Sequence, residues 1–113
     1  MSTALASAAI AARLVELPHW RHEGAAITRL YKTGGWKATL MAVNLVGYLA
    51  EAAWHHPQLT ATFGALEVRL DTHDAGGVTD KDFALAAQIE ALLMQPPGAP
   101  FMALPPEHEI VKA

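Results

Sequence analysis

One apolar stretch, residues 36–54, limits the possible folds of this 113-residue chain more than any other feature. Its apolar residues recur at spacings of three and four, which predicts an amphipathic helix. The face predicted to be buried consists of Trp36, Leu40, Val43, Gly47, Ala50 and Trp54. Because further apolar residues widen this face, we expect the helix to be buried on more than one side and to form an oligomer contact. Pro57 disfavours helical geometry at His56, so the helix should end at the histidine pair.

Two further helices are predicted from their end signals. The first should run from about Thr3 to Glu16, with Pro18 just beyond its end. The last should begin at Thr79, because Thr79 and Asp82 have the spacing of a capping box. This spacing by itself gives Asp82 a structural role.

Alternating apolar and polar residues predict two β-hairpins between these helices. Residues 19–35 form the first hairpin, and strands 59–63 and 66–72 form the second, with Gly64 and Ala65 as its turn. The element order is then α-β-β-α-β-β-α. This order predicts an α+β fold, with a four-stranded antiparallel sheet covered by helices on one face.

Composition predicts a single domain at residues 1–95 and a proline-rich tail at residues 96–113, which holds five of the seven prolines. The net charge of −3, without a basic stripe, argues against direct nucleic-acid binding. The absence of cysteine excludes disulfides and thiol catalysis, and it fits a cytoplasmic location. The longest apolar run contains Asn44 and Glu51 and is too short to span a bilayer, so no membrane partner is expected.

Three histidines are the candidates for chemistry. Glu51 and His55 are four residues apart, so in a helix they share a face and can touch, and a carboxylate orients an imidazole. His56 points about 100° further around the helix. His73 follows the end of strand 66–72. If strand ends and helix ends meet at one edge of the sheet, the three histidines could line one pocket and transfer protons.

Each of these residues also has a structural interpretation. The histidine pair could form a polar helix end, His73 could be a turn residue, and Glu51 could be an exposed charge. A zinc site is not expected, because zinc needs three or four converging ligands and adjacent histidines rarely face one ion.

A longer pattern contains all of these candidates. The spacing of Glu51, His55-His56-Pro57, Phe63, His73 and Asp82 resembles the signature of the pterin-4a-carbinolamine dehydratases, also called 4a-hydroxytetrahydrobiopterin dehydratases. The segment THDAGGVTDKDFALA and Trp20 near the first hairpin are also similar to that family. The resemblance extends from about residue 20 to about residue 92.

The resemblance implies an α-β-β-α-β-β-α domain that forms homodimers by sheet extension or homotetramers with helices at the centre. The implied reaction removes water from 4a-hydroxytetrahydropterin and gives quinonoid dihydropterin. It needs neither a metal nor an organic cofactor.

The resemblance also implies roles for individual residues. His55 and His56 would be the acid/base pair, His73 would bind and polarise the substrate from the opposite side, and Glu51 would tune His55. The implied pterin contacts are Trp54, His55, His56, Asp71, Thr72, His73 and Asp74. Pro57, Thr79 and Asp82 keep the structural roles that their positions at helix ends indicate. The chain departs from the family at Trp54, where many members carry Asp, and at Leu59, where many carry an aromatic residue.

A second class of function stays open on the same resemblance. Some family members act as a dimerisation cofactor of a transcription factor, and dehydratase-like members near carboxysome genes are linked to Rubisco assembly. Trp54, Leu59, the apolar second helix and the proline-rich tail would suit such a non-catalytic chaperone or assembly factor with a protein partner.

Overall fold

The computed structural model describes residues 3–95 and 109–112 of the chain. Its elements occur in the predicted order, with a single 3-10 turn at His73–Ala75 before the last helix. The helices and strands are α1 (Ser7–Leu14), β1 (Arg21–Glu23), β2 (Ala26–Lys32), α2 (Trp36–Ala53), β3 (Gln58–Thr62), β4 (Ala65–Leu70) and α3 (Asp80–Leu93).

The four strands form one antiparallel sheet in the order β1-β2-β4-β3. Strand β4 alternates as predicted, because Leu66, Val68 and Leu70 are buried toward the helices while the residues between them face the other side. The predicted α+β fold is therefore confirmed. The turn of the second hairpin lies one residue earlier than predicted, since Ala65 already pairs with Thr62 as the first residue of β4.

Helix α1 is shorter than predicted at both ends. The backbone N–H of Leu5 donates to the carbonyl of Val78 at 2.7 Å, and Ala6 is extended. The chain therefore enters along the start of α3 before the helix begins. After Leu14, single turns replace the last predicted helical residues.

The buried face of α2 differs from the predicted one. Trp36, Leu40 and Trp54 are 48%, 41% and 76% exposed. The buried residues of α2 are Thr39, Ala42, Val46 and Ala50. Of the predicted face, Ala50 is therefore buried, and Val43 is partly buried against the core. Since apolar residues surround most of the helix, hydrophobicity alone did not identify the face that the sheet and α3 cover. Large apolar side chains therefore stay on the surface of the isolated chain.

Helix α3 is fixed to the sheet by Glu90. Its carboxylate accepts hydrogen bonds from Arg29 Nε at 2.9 Å, from Tyr31 Oη at 2.7 Å and from Trp20 Nε1 at 3.1 Å. Burial acts to raise the pKa of Glu90, but the hydrogen bonds from Arg29 and Tyr31 outweigh it and leave this pKa below its ordinary value. Burial and the same carboxylate raise the pKa of Tyr31.

Most of the predicted proline-rich tail lies outside the described residues, so the division at residue 95 stays a prediction. Its last described part, residues 109–112, lies against the domain, and Val111 is buried in the core. No helix within residues 3–95 and 109–112 is both long enough and apolar enough to cross a membrane.

Candidate active site

The site is shaped by the way α2 ends. Trp54 follows the last helical residue in a left-handed conformation, with φ 50° and ψ 47°. The N–H of His55 then reaches back to the carbonyl of Ala50 at 3.0 Å, which is the hydrogen-bond pattern of a Schellman motif. Bulky residues rarely adopt this conformation because the side chain crowds the backbone. The turn directs His55 away from the helix face of Glu51.

His55 is bound to Asp82 at the start of α3. Its Nε2 lies 2.5 Å from Oδ1 of Asp82, and the two side chains are 14% and 0% exposed. The expected contact between Glu51 and His55 is therefore wrong, because the helical spacing on which it depended ends at Trp54. A carboxylate does hold the histidine, but it comes from another helix.

Asp82 is held in place by three donors. Besides His55, its other oxygen accepts from Thr72 Oγ1 and from the backbone N–H of Thr79, both at 2.8 Å. The Thr79 hydroxyl accepts from the N–H of Lys81 at 3.2 Å, so the predicted capping box of Thr79 and Asp82 is confirmed. The carboxylate thus caps α3 and binds His55 at the same time.

The bonds to Asp82 determine which nitrogen of His55 is available. An ionised carboxylate only accepts, so Nε2 of His55 carries the hydrogen that it donates to Asp82. Within the described residues nothing is hydrogen-bonded to Nδ1. Nδ1 is therefore the atom of His55 that can take or give a proton.

His56 is paired with Glu51 on the surface side of the same turn. Its Nε2 lies 2.9 Å from Oε1 of Glu51, and the side chains are 51% and 68% exposed. The ring of Trp54 meets the imidazole edge to face, with centroids 5.1 Å apart. Pro57 then leads into β3. Each member of the histidine pair thus has its own carboxylate.

His73 lies near this network without entering it. Thr72 is the second residue after β4 and is buried where its hydroxyl donates to Asp82, whereas Asp71, His73 and Asp74 are exposed. The residues that follow α2 and β4 thus meet at the start of α3, a helix that was not predicted from the sequence to form part of this site. No contact of the His73 side chain with either of the other histidines is found in the described part of the chain, so a pocket lined by all three stays a prediction.

An open pocket of about 420 Å³ begins at His55 and lies between the end of α2 and the first turns of α3. His56 and His73 do not line it. Its walls are mostly apolar and are formed by Leu49, Ala52, Ala53, Trp54, His55, Lys81, Ala84, Leu85 and Gln88. A pocket of this size suits a small bicyclic molecule, and His55 is the histidine that lines it.

No three His, Asp or Glu side chains form a group that could hold a metal ion among residues 3–95 and 109–112. The arrangement of two histidines, each oriented by a carboxylate, suits acid–base chemistry.

The contact between Asp82 and His55 was not predicted from the sequence, because the capping box already explained the presence of Asp82. The available signal was the inclusion of Asp82 in the longer pattern with the histidines.

Comparison with known proteins gives the same family for nearly the whole domain. A family model described as pterin 4 alpha carbinolamine dehydratase matches residues 3–92. Similar chains, each provisionally named a pterin-4-alpha-carbinolamine dehydratase, occur in several bacteria. One from Chloroflexus aurantiacus is 42% identical over 89 residues, which are 79% of this chain and 96% of the relative. One from Acidobacterium capsulatum is 44% identical over 85 residues, or 75% of this chain and 92% of the relative.

Solved structures share the fold. A transcriptional coactivator/pterin dehydratase from Brucella melitensis has a TM-score of 0.76 and 26% identity, covering 80% of this chain and 98% of that one. A pterin dehydratase-like RuBisCO assembly factor of the alpha-carboxysome has a TM-score of 0.55 at 19% identity, covering 68% and 89%, and shows the fold alone. The family-model match over residues 3–92 and the relatives at 42% and 44% identity establish that the chain belongs to the pterin-4a-carbinolamine dehydratase family.

Proposed function

We propose that the chain dehydrates 4a-hydroxytetrahydropterin to quinonoid dihydropterin by histidine acid–base catalysis. The observation that carries this proposal is the pairing of partly buried His55 with fully buried Asp82 beside a mostly apolar pocket. Membership of the family supports this reaction, and the pocket supports binding of a ring system beside His55. A cytoplasmic location would suit this function.

In the reaction the substrate gains one proton and loses another. An acid protonates the 4a-hydroxyl, which leaves as water while the electron pair of the neighbouring ring nitrogen forms a C=N bond. A base removes the proton from that nitrogen. We assign these two roles to His55 and His56, as the family resemblance implies. Each has a nitrogen held by a carboxylate, Asp82 or Glu51, although of the two only His55 lines the pocket described above.

Other predicted site residues contribute in different ways. Asp71, His73 and Asp74 are exposed on the loop next to Asp82, where they can contact the substrate. The hydroxyl of Thr72 is already engaged by Asp82 and Thr79, so we assign Thr72 a positioning role instead of a substrate contact.

The test is turnover of freshly generated substrate by histidine variants. We expect His55→Ala and His56→Ala each to lower kcat/KM by about 10²–10⁴-fold, the usual contribution of a positioned proton-transfer group. His22→Ala is the matched control, since His22 lies in β1 outside the site, and it should leave the rate unchanged. Wild-type rates in both His55→Ala and His56→Ala, with folding verified by circular dichroism, would refute the proposal.

Exposed apolar residues on α2 support a second function, binding of another protein copy or a protein partner. Tyr48 is 72% exposed and Trp36 is 48% exposed, although such side chains are normally buried. These residues provide a surface for a homodimer or homotetramer, or for a partner of the kind that the assembly-factor relative has.

The two functions are separated by surface variants of α2. If α2 is an interface, Trp36→Lys and Tyr48→Lys should lower the molar mass seen by light scattering, or release a co-purifying partner, while turnover is kept. Lys37→Ala, on the same helix, is the control. An unchanged mass together with an unchanged set of bound proteins would rule out the interface.

A further inference from the structure

Strand β2 has an edge that β1 covers only in part. Strand β1 pairs with Ala26–Thr28 alone, so the second half of β2 receives no hydrogen bonds from it. An uncovered strand is a template on which another strand can pair, and it promotes association between chains. This edge therefore needs another partner.

The end of the chain provides that partner. Val111 forms an antiparallel bridge with Thr33, and the backbone N–H of Lys112 donates to the carbonyl of Lys32 at 2.9 Å. On the other side, the N–H of Thr33 donates to the carbonyl of Gly64 at 2.9 Å. The end of β2 is thus paired on both sides.

The docked segment is also held by its side chains. Val111 is 6% exposed and belongs to the core, and Ile110 packs against the same core, whereas Lys112 is exposed. Val111 lies opposite Thr33, on the sheet face that the helices cover. Burial of this apolar side chain therefore favours docking of the segment.

The docked residues lie outside the region that defines the family. The family model ends at residue 92, and a relative of which 96% is aligned matches only 79% of this chain. We propose that residues 109–112 are an intramolecular edge cap, which prevents β2 from pairing with another chain and confines sheet pairing between copies to β3.

The opposite edge of the sheet shows what the cap controls. Within residues 3–95 and 109–112, strand β3 pairs with β4 alone, and most of its residues are exposed. The outer edge of β1 is short and carries Arg21 and Glu23, features that disfavour pairing. With the cap in place each copy offers one usable edge, which allows a closed pair. With the cap removed each copy offers two, which allows open-ended growth.

The test compares full-length variants by light scattering across a range of protein concentrations. Lys112→Pro removes the N–H that bonds to Lys32 and keeps Val111, and Lys112→Ala is its control. Val111→Asp removes the core side chain, and Val111→Ile is its control. We expect both controls to keep the molar mass of the wild type, while the mass of Lys112→Pro and Val111→Asp grows beyond it as concentration rises.

Two further measurements keep the result decisive. A synthetic peptide of residues 107–113 should bind the free edge of the Val111→Asp variant and return its mass to that of the wild type. Amide exchange should show a protected Lys112 N–H in the wild type and an unprotected one in Val111→Asp. An unprotected Lys112 amide in a variant whose molar mass does not grow would overturn the edge cap. Growth of Val111→Asp but not of Lys112→Pro would also overturn it, because lost core packing would then be the cause.

Discussion

Replacement of Asp82 by Asn tests the link between the fold and the chemistry. Asn has the shape of Asp, and its single oxygen can keep the bonds from Thr72 and the N–H of Thr79. Its NH₂ group then faces Nε2 of His55, where two donors meet at the 2.5 Å that now separates the partners. The His55 ring must then either move away from residue 82 or carry its hydrogen on Nδ1. In both cases the correctly placed, unprotonated Nδ1 is lost.

The magnitude follows from the bonds that are lost. One charge-assisted hydrogen bond contributes about 1.5–3 kcal/mol, so we expect Asp82→Asn to lower the free energy of unfolding by that amount. Activity should fall by about 10²–10⁴-fold, since the proton-transfer group is no longer correctly oriented. Urea unfolding measures the first effect, and kcat/KM for 4a-hydroxytetrahydropterin measures the second.

Asp80→Asn is the matched control. Asp80 lies two residues away in the same helix turn, but it is exposed and bonds only Arg13 at the surface, a pair worth about 0.2–1 kcal/mol. If Asp82→Asn is as stable as Asp80→Asn and turns over substrate at the wild-type rate, the role assigned to Asp82 is wrong.

Three further predictions concern stability, and urea unfolding checks each of them. Trp54→Gly should raise the free energy of unfolding by up to ~1 kcal/mol, because Gly accepts the left-handed conformation of this position. Its control, Ala53→Gly, lies in the helix and should lower that free energy by about 0.5–1 kcal/mol. An equal loss of stability in both variants would contradict the strain at Trp54. Thr72→Val should cost about 1–3 kcal/mol and lower kcat more than it raises KM, while a change in KM alone would indicate substrate contact. Glu90 has a lowered folded-state pKa, so its stabilisation is present above the unfolded value near 4.5 and is lost as pH falls through the folded value. The stability gap between wild type and Glu90→Gln should therefore close in acid, and a gap that widened there would refute this.

The sequence was sufficient to predict the element order and much of the sheet. Strand β4 alternates because only one of its faces is covered, and the spacing of Thr79 and Asp82 marks the start of α3 through a local hydrogen bond. Such features depend on neighbours in the chain. Periodicity and end signals therefore locate them.

The features that could not be predicted depend on contacts between distant residues. The covered face of α2 is chosen by the sheet and α3, and its apolar surface offered several equivalent faces. The left-handed turn at Trp54 has no residue signal, since Gly or Asn usually marks it. Because this turn redirects His55, its partner Asp82, 27 residues away, could not be derived from helix spacing.

The central claim is that His55 and Asp82 act together in proton transfer to and from a pterin. A double-mutant cycle of His55→Ala and Asp82→Asn, measured as kcat/KM for dehydration of 4a-hydroxytetrahydropterin, tests it most directly. We predict that the wild type exceeds the spontaneous rate and that the double variant is no slower than His55→Ala alone. A wild type at the spontaneous rate, or losses that multiply in the double variant, would contradict the claim.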